Sequence, residues 1–141
     1  MAYPPRYQQI SGGSGTLTAA PVAGTTTGGT AIATSGMDRE TVSCLFNVLA
    51  ETSTLTLTAK FQVSHDQATW YDLADNAQNP ANVVLTTGTD DTDTTTTRVL
   101  PLPPTALGWE YVRAAVVNAA ATGAVGDTYA FTWCYRKFSG F

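Results

Sequence analysis

The stretch that decides the fold is TLTLTAKFQVS, residues 54–64, which alternates strictly between polar and apolar side chains. The apolar positions fall on one face of an extended chain: Leu55, Leu57, Ala59, Phe61 and Val63. A period of two predicts a half-buried strand in an antiparallel sheet, with its Thr-rich face toward solvent or a partner. The polar turn HDQA, residues 65–68, leads into TWYDL, residues 69–73, so the two segments predict a hairpin.

Other segments that predict strands recur at short spacing along the chain. They are residues 41–49, 83–87, 95–102, 109–118 and 128–137. In the last segment the aromatic side chains alternate onto one face, which favours packing between two sheets over an exposed sugar-stacking row: Tyr129, Phe131, Trp133 and Tyr135. Because no stretch sustains a period of 3.6 residues, the sequence predicts an all-β antiparallel β-sandwich, jelly-roll-like or Ig-like, with strand order left open.

The first thirty-five residues differ in composition from the rest and include SGGSG at residues 11–15 and TTTGGT at residues 25–30. Gly, Ser and Thr lose backbone entropy on ordering and bury little apolar area in return. If such a segment is ordered, its contacts must come from its own domain or from a neighbouring chain. We therefore expect an extended N-terminal arm, residues 1–35, followed by a β-sandwich domain, residues 36–141.

Apolar side chains at both ends of the chain are the candidates for contact with a partner. They are Tyr3, Tyr7 and Ile10 in the arm, and Phe138 and Phe141 near the other end. The two Phe residues flank Gly140 in a segment that no predicted strand requires, so docking into a partner and folding back onto the domain are equally open.

Length and charge exclude several classes of protein. A chain of 141 residues suits one domain, and its 13% of charged residues compares with a usual share of about 25%. The net charge of −4 argues against nucleic acid as a partner, because phosphate binding needs a basic face. No apolar run approaches the roughly 20 residues that span a membrane, and residues 1–6 lack the pattern of a secretory signal.

No motif predicts catalysis, a cofactor or a bound metal. His65 is the single histidine and no Gly-x-Ser-x-Gly elbow accompanies it, so an exposed loop residue is the favoured interpretation over a general base. Asp90, Asp91 and Asp93 lie in a turn that lacks the spacing of an EF-hand, and whether they bind an ion stays open. Cys44 and Cys134 lie in separate predicted strands; two buried thiols are favoured, and a bridge stays open.

Residues 61–70, FQVSHDQATW, resemble the F-x-V-S-x-D-G-x-x-W hairpin common in small β-sandwich structural proteins of tailed bacteriophages. Residues 109–113, WEYVR, resemble the x-Y-V-R strand that often follows it. The likeness spans residues 55–136, and carbohydrate-binding and fibre domains contain similar hairpins. Gln67 departs from the pattern, which usually has Gly there, and this leaves the turn type open.

The resemblance implies a virion component, namely a non-enzymatic capsid decoration (cement) protein. Such a protein would be a homotrimer on the capsid surface, assembled in the bacterial host cytoplasm, and would bind neighbouring subunits of the major capsid protein. One alternative is another phage structural module from a tail, baseplate or head fibre. Another is a carbohydrate-binding β-sandwich module that recognises glycans through exposed aromatic rings such as Trp70 and Trp109.

Overall fold

The chain folds into two antiparallel β-sheets packed face to face, which confirms the predicted β-sandwich. The computed structural model describes residues 6–16, 26–35, 37, 42–50, 56–73, 83–86, 94–118 and 128–137. The strands are β1 (Arg6–Thr16), β2 (Thr26–Gly28), β3 (Ile32–Ala33), β4 (Ser43–Ala50), β5 (Thr56–Ser64), β6 (Tyr71–Asp72), β7 (Val83–Thr86), β8 (Thr94–Pro101), β9 (Tyr111–Asn118) and β10 (Thr128–Lys137). A short 3₁₀ helix, Pro104–Gly108, precedes β9.

Sheet I contains four strands in the order β1-β10-β4-β8, and sheet II is built on the order β2-β9-β5-β6. In sheet II, β3 also pairs with β9 and β7 also pairs with β5. Every pairing is antiparallel, as the hairpin pattern predicts. No helix among these residues has the length and apolar character needed to cross a membrane.

Aromatic side chains from both sheets fill the space between them. Phe46 on β4 meets Phe131 on β10 edge to face, with ring centroids 5.2 Å apart, and meets Phe61 on β5 across the sandwich at 5.7 Å. Trp133 packs against Phe61 at 5.4 Å. Phe131, Trp133 and Tyr135 are all buried, so the prediction that the aromatic face of the last strand packs in the core is confirmed.

The described residues of the predicted arm belong to both sheets. β1 pairs along β10, with Ile10 opposite Trp133, while β2 and β3 pair with β9. Ile10 is half-buried and packs against the core. The composition left open whether the arm gains its contacts from its own domain or from a neighbouring chain. The described residues of the arm pair with strands of their own domain. The boundary at residue 35 stays a prediction, because residues 1–5 and 17–25 lie outside the described part.

A glycine pair in β1 joins the two sheets at one side. The register of β1 against β10 shifts between Ser11 and Ser14, and Gly13 takes a positive φ of 101° that favours glycine. At this bulge the amide of Thr30 donates to the carbonyl of Gly12 at 2.8 Å. Because Thr30 follows a strand of sheet II, the hydrogen bond closes one side of the sandwich.

Gly12 also lies directly against the core. A Cβ atom at this position would lie 2.8 Å from Nε1 of Trp133 and 3.0 Å from Cβ of Phe131, closer than packed atoms tolerate. We expect Gly12→Ala to lower the free energy of unfolding by about 1–3 kcal/mol, because the buried indole has to move. Urea denaturation measures the difference. Gly108→Ala is the matched control, since a Cβ there meets no atom within 4 Å, and equal losses in the two variants would contradict this packing.

Candidate functional site

The hairpin between β5 and β6 is fixed by two polar side chains, Ser64 and Asp66. The buried Ser64 hydroxyl accepts hydrogen bonds from the amides of Asp66 (3.2 Å) and Gln67 (2.9 Å) and donates to Oδ1 of Asp66 at 3.0 Å. Oδ1 of Asp66 also accepts from the amides of Thr69 (2.8 Å) and Ala68 (2.9 Å). These bonds satisfy the backbone of a sharp turn and hold its two strands in register.

The same hydrogen bonds set the charge of the turn. The amides of Thr69 and Ala68, followed by the hydroxyl of Ser64, hold the pKa of Asp66 below its ordinary value. Asp66 is thus a structural anion at neutral pH, bound by its own turn. The motif residues Ser64 and Asp66 therefore build the hairpin, with Oδ1 of Asp66 accepting from the Ser64 hydroxyl and from two amides of the turn.

Gln67 shows why the related pattern usually has glycine at this point. Its φ is 61°, in the left-handed region that disfavours residues with a side chain. The turn conformation is therefore the one that glycine favours, which answers the question that the sequence left open. The carbonyl of Gln67 accepts a hydrogen bond from Nε1 of Trp70 at 3.2 Å, which ties the indole to the turn.

The outer face of sheet II carries a polar network beside this hairpin. Nζ of Lys60 lies 2.8 Å from Oδ1 of Asp72, and Nε2 of Gln62 donates to the same oxygen at 2.9 Å. Nε of Arg113 donates to Oε1 of Gln62 at 2.9 Å. Lys60 and Gln62 are each only 7% exposed, so this part of the predicted solvent-facing side of β5 is covered instead.

The network perturbs the ionisation of its members. Burial by itself would raise the pKa of Asp72, but the hydrogen bonds from Lys60 and Gln62 and the charge of Lys60 outweigh it, so the pKa is lowered. Burial lowers the pKa of the Arg113 guanidinium. The lowered pKa of Asp72 keeps its carboxylate ionised at neutral pH, where it accepts the hydrogen bonds of Lys60 and Gln62.

Arg113 lies between two elements that are distant in sequence. Its Cζ sits 4.3 Å from the ring centroid of Trp70, a cation–π arrangement. On the side of β2 the guanidinium passes so close to Gly28 that a Cβ there would overlap it. Trp70, one of the two tryptophans proposed for glycan stacking, is therefore engaged with Arg113 on the outer face of sheet II.

The other tryptophan, Trp109, is the centre of an aromatic cluster at one end of the sandwich. His65 stacks on it with ring centroids 4.4 Å apart and an interplanar angle of 21°, and Tyr71 lies 5.5 Å from it. His65 is exposed, as predicted, and Tyr71 is 54% exposed, while Trp109 is half-buried against the core. This cluster presents aromatic surface to solvent on a rigid base.

Two local structures position Trp109. The 3₁₀ helix begins at Pro104, whose fixed φ suits a first helical residue. Within the helix, the amide of Ala106 donates a hydrogen bond to the carbonyl of Pro103 at 3.0 Å. The amide of Trp109 then donates to the carbonyl of Ala106 at 3.1 Å. From β3, the buried hydroxyl of Thr34 donates to the carbonyl of Trp109. The backbone at Trp109 is therefore held from both sides.

A cleft of about 410 Å³ lies beside this tryptophan. Its walls come from the end of β3 and from the segment between the 3₁₀ helix and β9: Ala33, Thr34, Ser35, Leu107, Gly108, Trp109, Glu110 and Tyr111. Ser35 and Glu110 are exposed at the cleft. Sequence reasoning singled out Trp109 but missed Thr34 and Ser35, since no local pattern brings the end of β3 next to the start of β9.

The outer face of sheet I is of a different kind from that of sheet II. We define this outer face of sheet I as the positions that alternate with the buried ones on its four strands: Gln9, Ser11, Ser14, Ser43, Leu45, Asn47, Thr97, Val99, Pro101, Thr128, Ala130, Thr132 and Cys134. None of these carries a charge. The register of β1 against β10 adds one charged residue, Arg136, at one end. Val99 is 60% exposed there, and Leu45 lies beside it on β4.

The remaining candidates from the sequence fall in several places. Tyr3, Phe138, Phe141 and the three Asp residues at 90, 91 and 93 lie outside the described residues. Tyr7 lies on β1 opposite Arg136. The structure does not bring the described partner candidates, Tyr7 and Ile10, together with the aromatic cluster, and their role as partner contacts stays a prediction.

The cysteines lie on neighbouring strands of sheet I and are both free. Cys44 is buried opposite Trp133, while Cys134 is opposite Ser43, so the register directs their side chains to different faces of the sheet. Burial raises the pKa of the Cys44 thiol, which keeps it protonated and unreactive. Within the described ranges, no group of three or more His, Cys, Asp and Glu side chains is arranged to hold a metal ion.

Comparison with known proteins adds little to this description. No family model matches the chain. No curated protein matches its sequence. Among solved structures, a chain from the structure of infectious bursal disease virus, Gx strain, superposes with a TM-score of 0.47 and 15% identity. The match covers 99% of this chain but only 34% of the viral one, so the protein spans about a third of that chain's length. A likeness this distant assigns no function.

The positive φ of Gln67 gives a stability test. Gln67→Gly removes the cost of holding a side chain in the left-handed region, and we expect it to raise the free energy of unfolding by about 0.5–1 kcal/mol, less the entropy that glycine adds to the unfolded chain. Ala68→Gly is the control one residue away, where φ is not positive, and should be neutral or destabilising. Chemical denaturation compares the two, and a loss of stability in Gln67→Gly would contradict the assigned turn.

The lowered pKa of Asp66 predicts a dependence on pH. Because the folded pKa lies below the unfolded one, the ionised carboxylate stabilises the fold fully above about pH 5, and this contribution disappears as the pH falls below about 4. Asp66→Asn should therefore melt at a lower temperature than the parent at pH 6.5, and the difference should shrink toward pH 3. Thermal melts over this range measure it. A difference that does not change with pH would show that the charge is not what holds the turn.

Proposed function

We propose that this protein is a non-enzymatic virion structural protein of a tailed bacteriophage, and specifically a capsid decoration protein. The observation that carries the proposal is the nearly uncharged outer face of sheet I. A solvated sheet face normally carries charged side chains, which favour solubility and discourage association. A broad face of Thr, Ser, Asn, Leu and Val, with Val99 exposed, suits contact with another protein, because docking there desolvates no ion.

The resemblance of residues 61–70 to the phage hairpin supports the same proposal. In the structure its residues hold a turn: Phe61 packs in the core, Ser64 and Asp66 bind the turn amides, and Trp70 covers Arg113. Every one of these roles is structural. The motif therefore determines the shape of the hairpin and supplies no reacting group. A rigid structural subunit of a particle needs a motif of this kind.

The size of the face favours binding by several copies together. Four strands spaced about 4.8 Å apart, each contributing about seven residues of 3.4 Å, give a face of about 450 Å². A standard stable interface buries about 800 Å² on each partner, so one face alone would bind the major capsid protein weakly. A homotrimer that engages three sites at once gains affinity through effective concentration. We therefore include a trimer and a major-capsid-protein partner in the proposal.

Copy number and position in the particle test the assignment. Mass spectrometry of purified virions should find this chain in a fixed ratio to the major capsid protein, and cryo-electron microscopy should place it on the outer capsid surface. Light scattering of the isolated chain should give the mass of a trimer. A few copies confined to the tail, baseplate or a head fibre would instead favour the other structural roles, and absence from the virion would overturn the proposal.

A charge placed on the outer face of sheet I tests the docking surface. Val99→Glu puts a carboxylate on the exposed side of β8, and we expect at least a tenfold loss of binding to capsids assembled without this chain, since the contact would bury an unpaired charge. Cosedimentation measures the binding. Thr105→Glu, on the exposed 3₁₀ helix, is the matched control and should bind as the parent does. Unaltered binding by Val99→Glu would mean that another surface is used.

A further inference from the structure

The cleft beside Trp109 is separate from the outer face of sheet I and has the features of a small-molecule site. Its volume of about 410 Å³ lies within the range of about 300–1,000 Å³ that is usual for ligand pockets. It is formed where β3 meets the start of β9, two elements joined by the hydrogen bonds of Thr34 to the carbonyl of Trp109 and to that of Glu110. Its walls are therefore fixed before any ligand arrives.

The aromatic part of the cleft is preorganised. Trp109 lines the cleft while His65 stacks on the indole and Tyr71 packs beside it. These neighbours restrict the rotation of the ring, so little side-chain entropy remains to be lost on binding. The part of the indole that His65 leaves uncovered is rigid and partly exposed, which suits a ligand with an apolar face of its own.

The polar part of the cleft consists of hydroxyl groups and one carboxylate. Ser35 can donate and accept, Tyr111 can do the same, and Glu110 accepts through two oxygens. Among the described residues that line the cleft, Glu110 is the one that carries a charge. An anionic ligand such as a phosphate or a sialic acid would therefore be repelled by its carboxylate.

A saccharide ring combines the two properties that these walls require. One face of a pyranose presents C–H groups that pack on an indole, and its rim carries hydroxyls that both donate and accept hydrogen bonds. We propose that the cleft beside Trp109 binds a neutral saccharide, with the sugar ring against Trp109 and its hydroxyls bonded to Glu110 and Ser35. This site is independent of the proposed docking to a capsid, and would allow the same molecule to contact glycans at an outer surface.

The structure places the two half-buried tryptophans apart, and this gives the experiment its control. Trp109 lines the cleft, whereas Trp70 covers Arg113 on the outer face of sheet II and does not line it. A panel of neutral and sialylated oligosaccharides is tested against the full chain by glycan array and then by calorimetry. We expect millimolar or tighter binding of a neutral sugar, a loss of at least tenfold in Trp109→Ala, partial retention in Trp109→Phe, and unchanged affinity in Trp70→Ala.

A second pair of variants distinguishes a loss of sugar binding from a loss of folding. Ser35 and Glu110 are exposed, so Ser35→Ala and Glu110→Gln should leave the melting temperature unchanged while weakening the sugar several-fold. Three results would overturn the proposal: no neutral saccharide bound by the parent chain, full binding by folded Trp109→Ala, or tighter binding of the sialylated members of the panel. None of these results bears on whether the chain lies on a capsid, which the virion analysis decides by itself.

Discussion

The contact between the two sheets is the constraint on which the rest of the structure depends. Phe46 and Phe131 from sheet I meet Phe61 from sheet II, with centroid separations of 5.2–5.7 Å, and Trp133 closes the same cluster. Large rings bury much apolar area for each residue ordered, which matters in a chain that otherwise uses Gly, Thr and Ala heavily. This packing requires glycine at position 12, because a Cβ atom there would overlap the Trp133 indole.

From that core, polar contacts determine what the surface offers. Ser64 and Asp66 fix the hairpin so that Trp70 faces one side of sheet II and Tyr71 the opposite side, next to His65 and Trp109. Neighbouring aromatic residues of the hairpin therefore have different roles. One ring covers an arginine and stabilises the sheet, while the others form exposed aromatic surface beside a cleft.

The proposed functions use different surfaces. The outer face of sheet I is nearly uncharged and spans four strands, which suits protein–protein contact. The cleft at Trp109 is concave, aromatic and lined by hydroxyls, which suits a small polar ligand. Because the two surfaces share no residue, one molecule can bind a particle through sheet I and keep the cleft open to solvent.

Sequence alone determined the fold class, because the alternation over residues 54–64 and 128–137 predicts extended strands with an apolar face. It also determined that the aromatic face of the last strand packs in the core. It did not show that the polar side of β5 is covered at Lys60 and Gln62, which depends on the neighbouring strands. Tertiary structure decided how residues 6–16 and 26–33 are ordered, because their Gly and Thr residues have no pattern of their own and pair only with β9 and β10. It alone brought Thr34 to Trp109, 75 residues away, since only the folded sheet makes them neighbours.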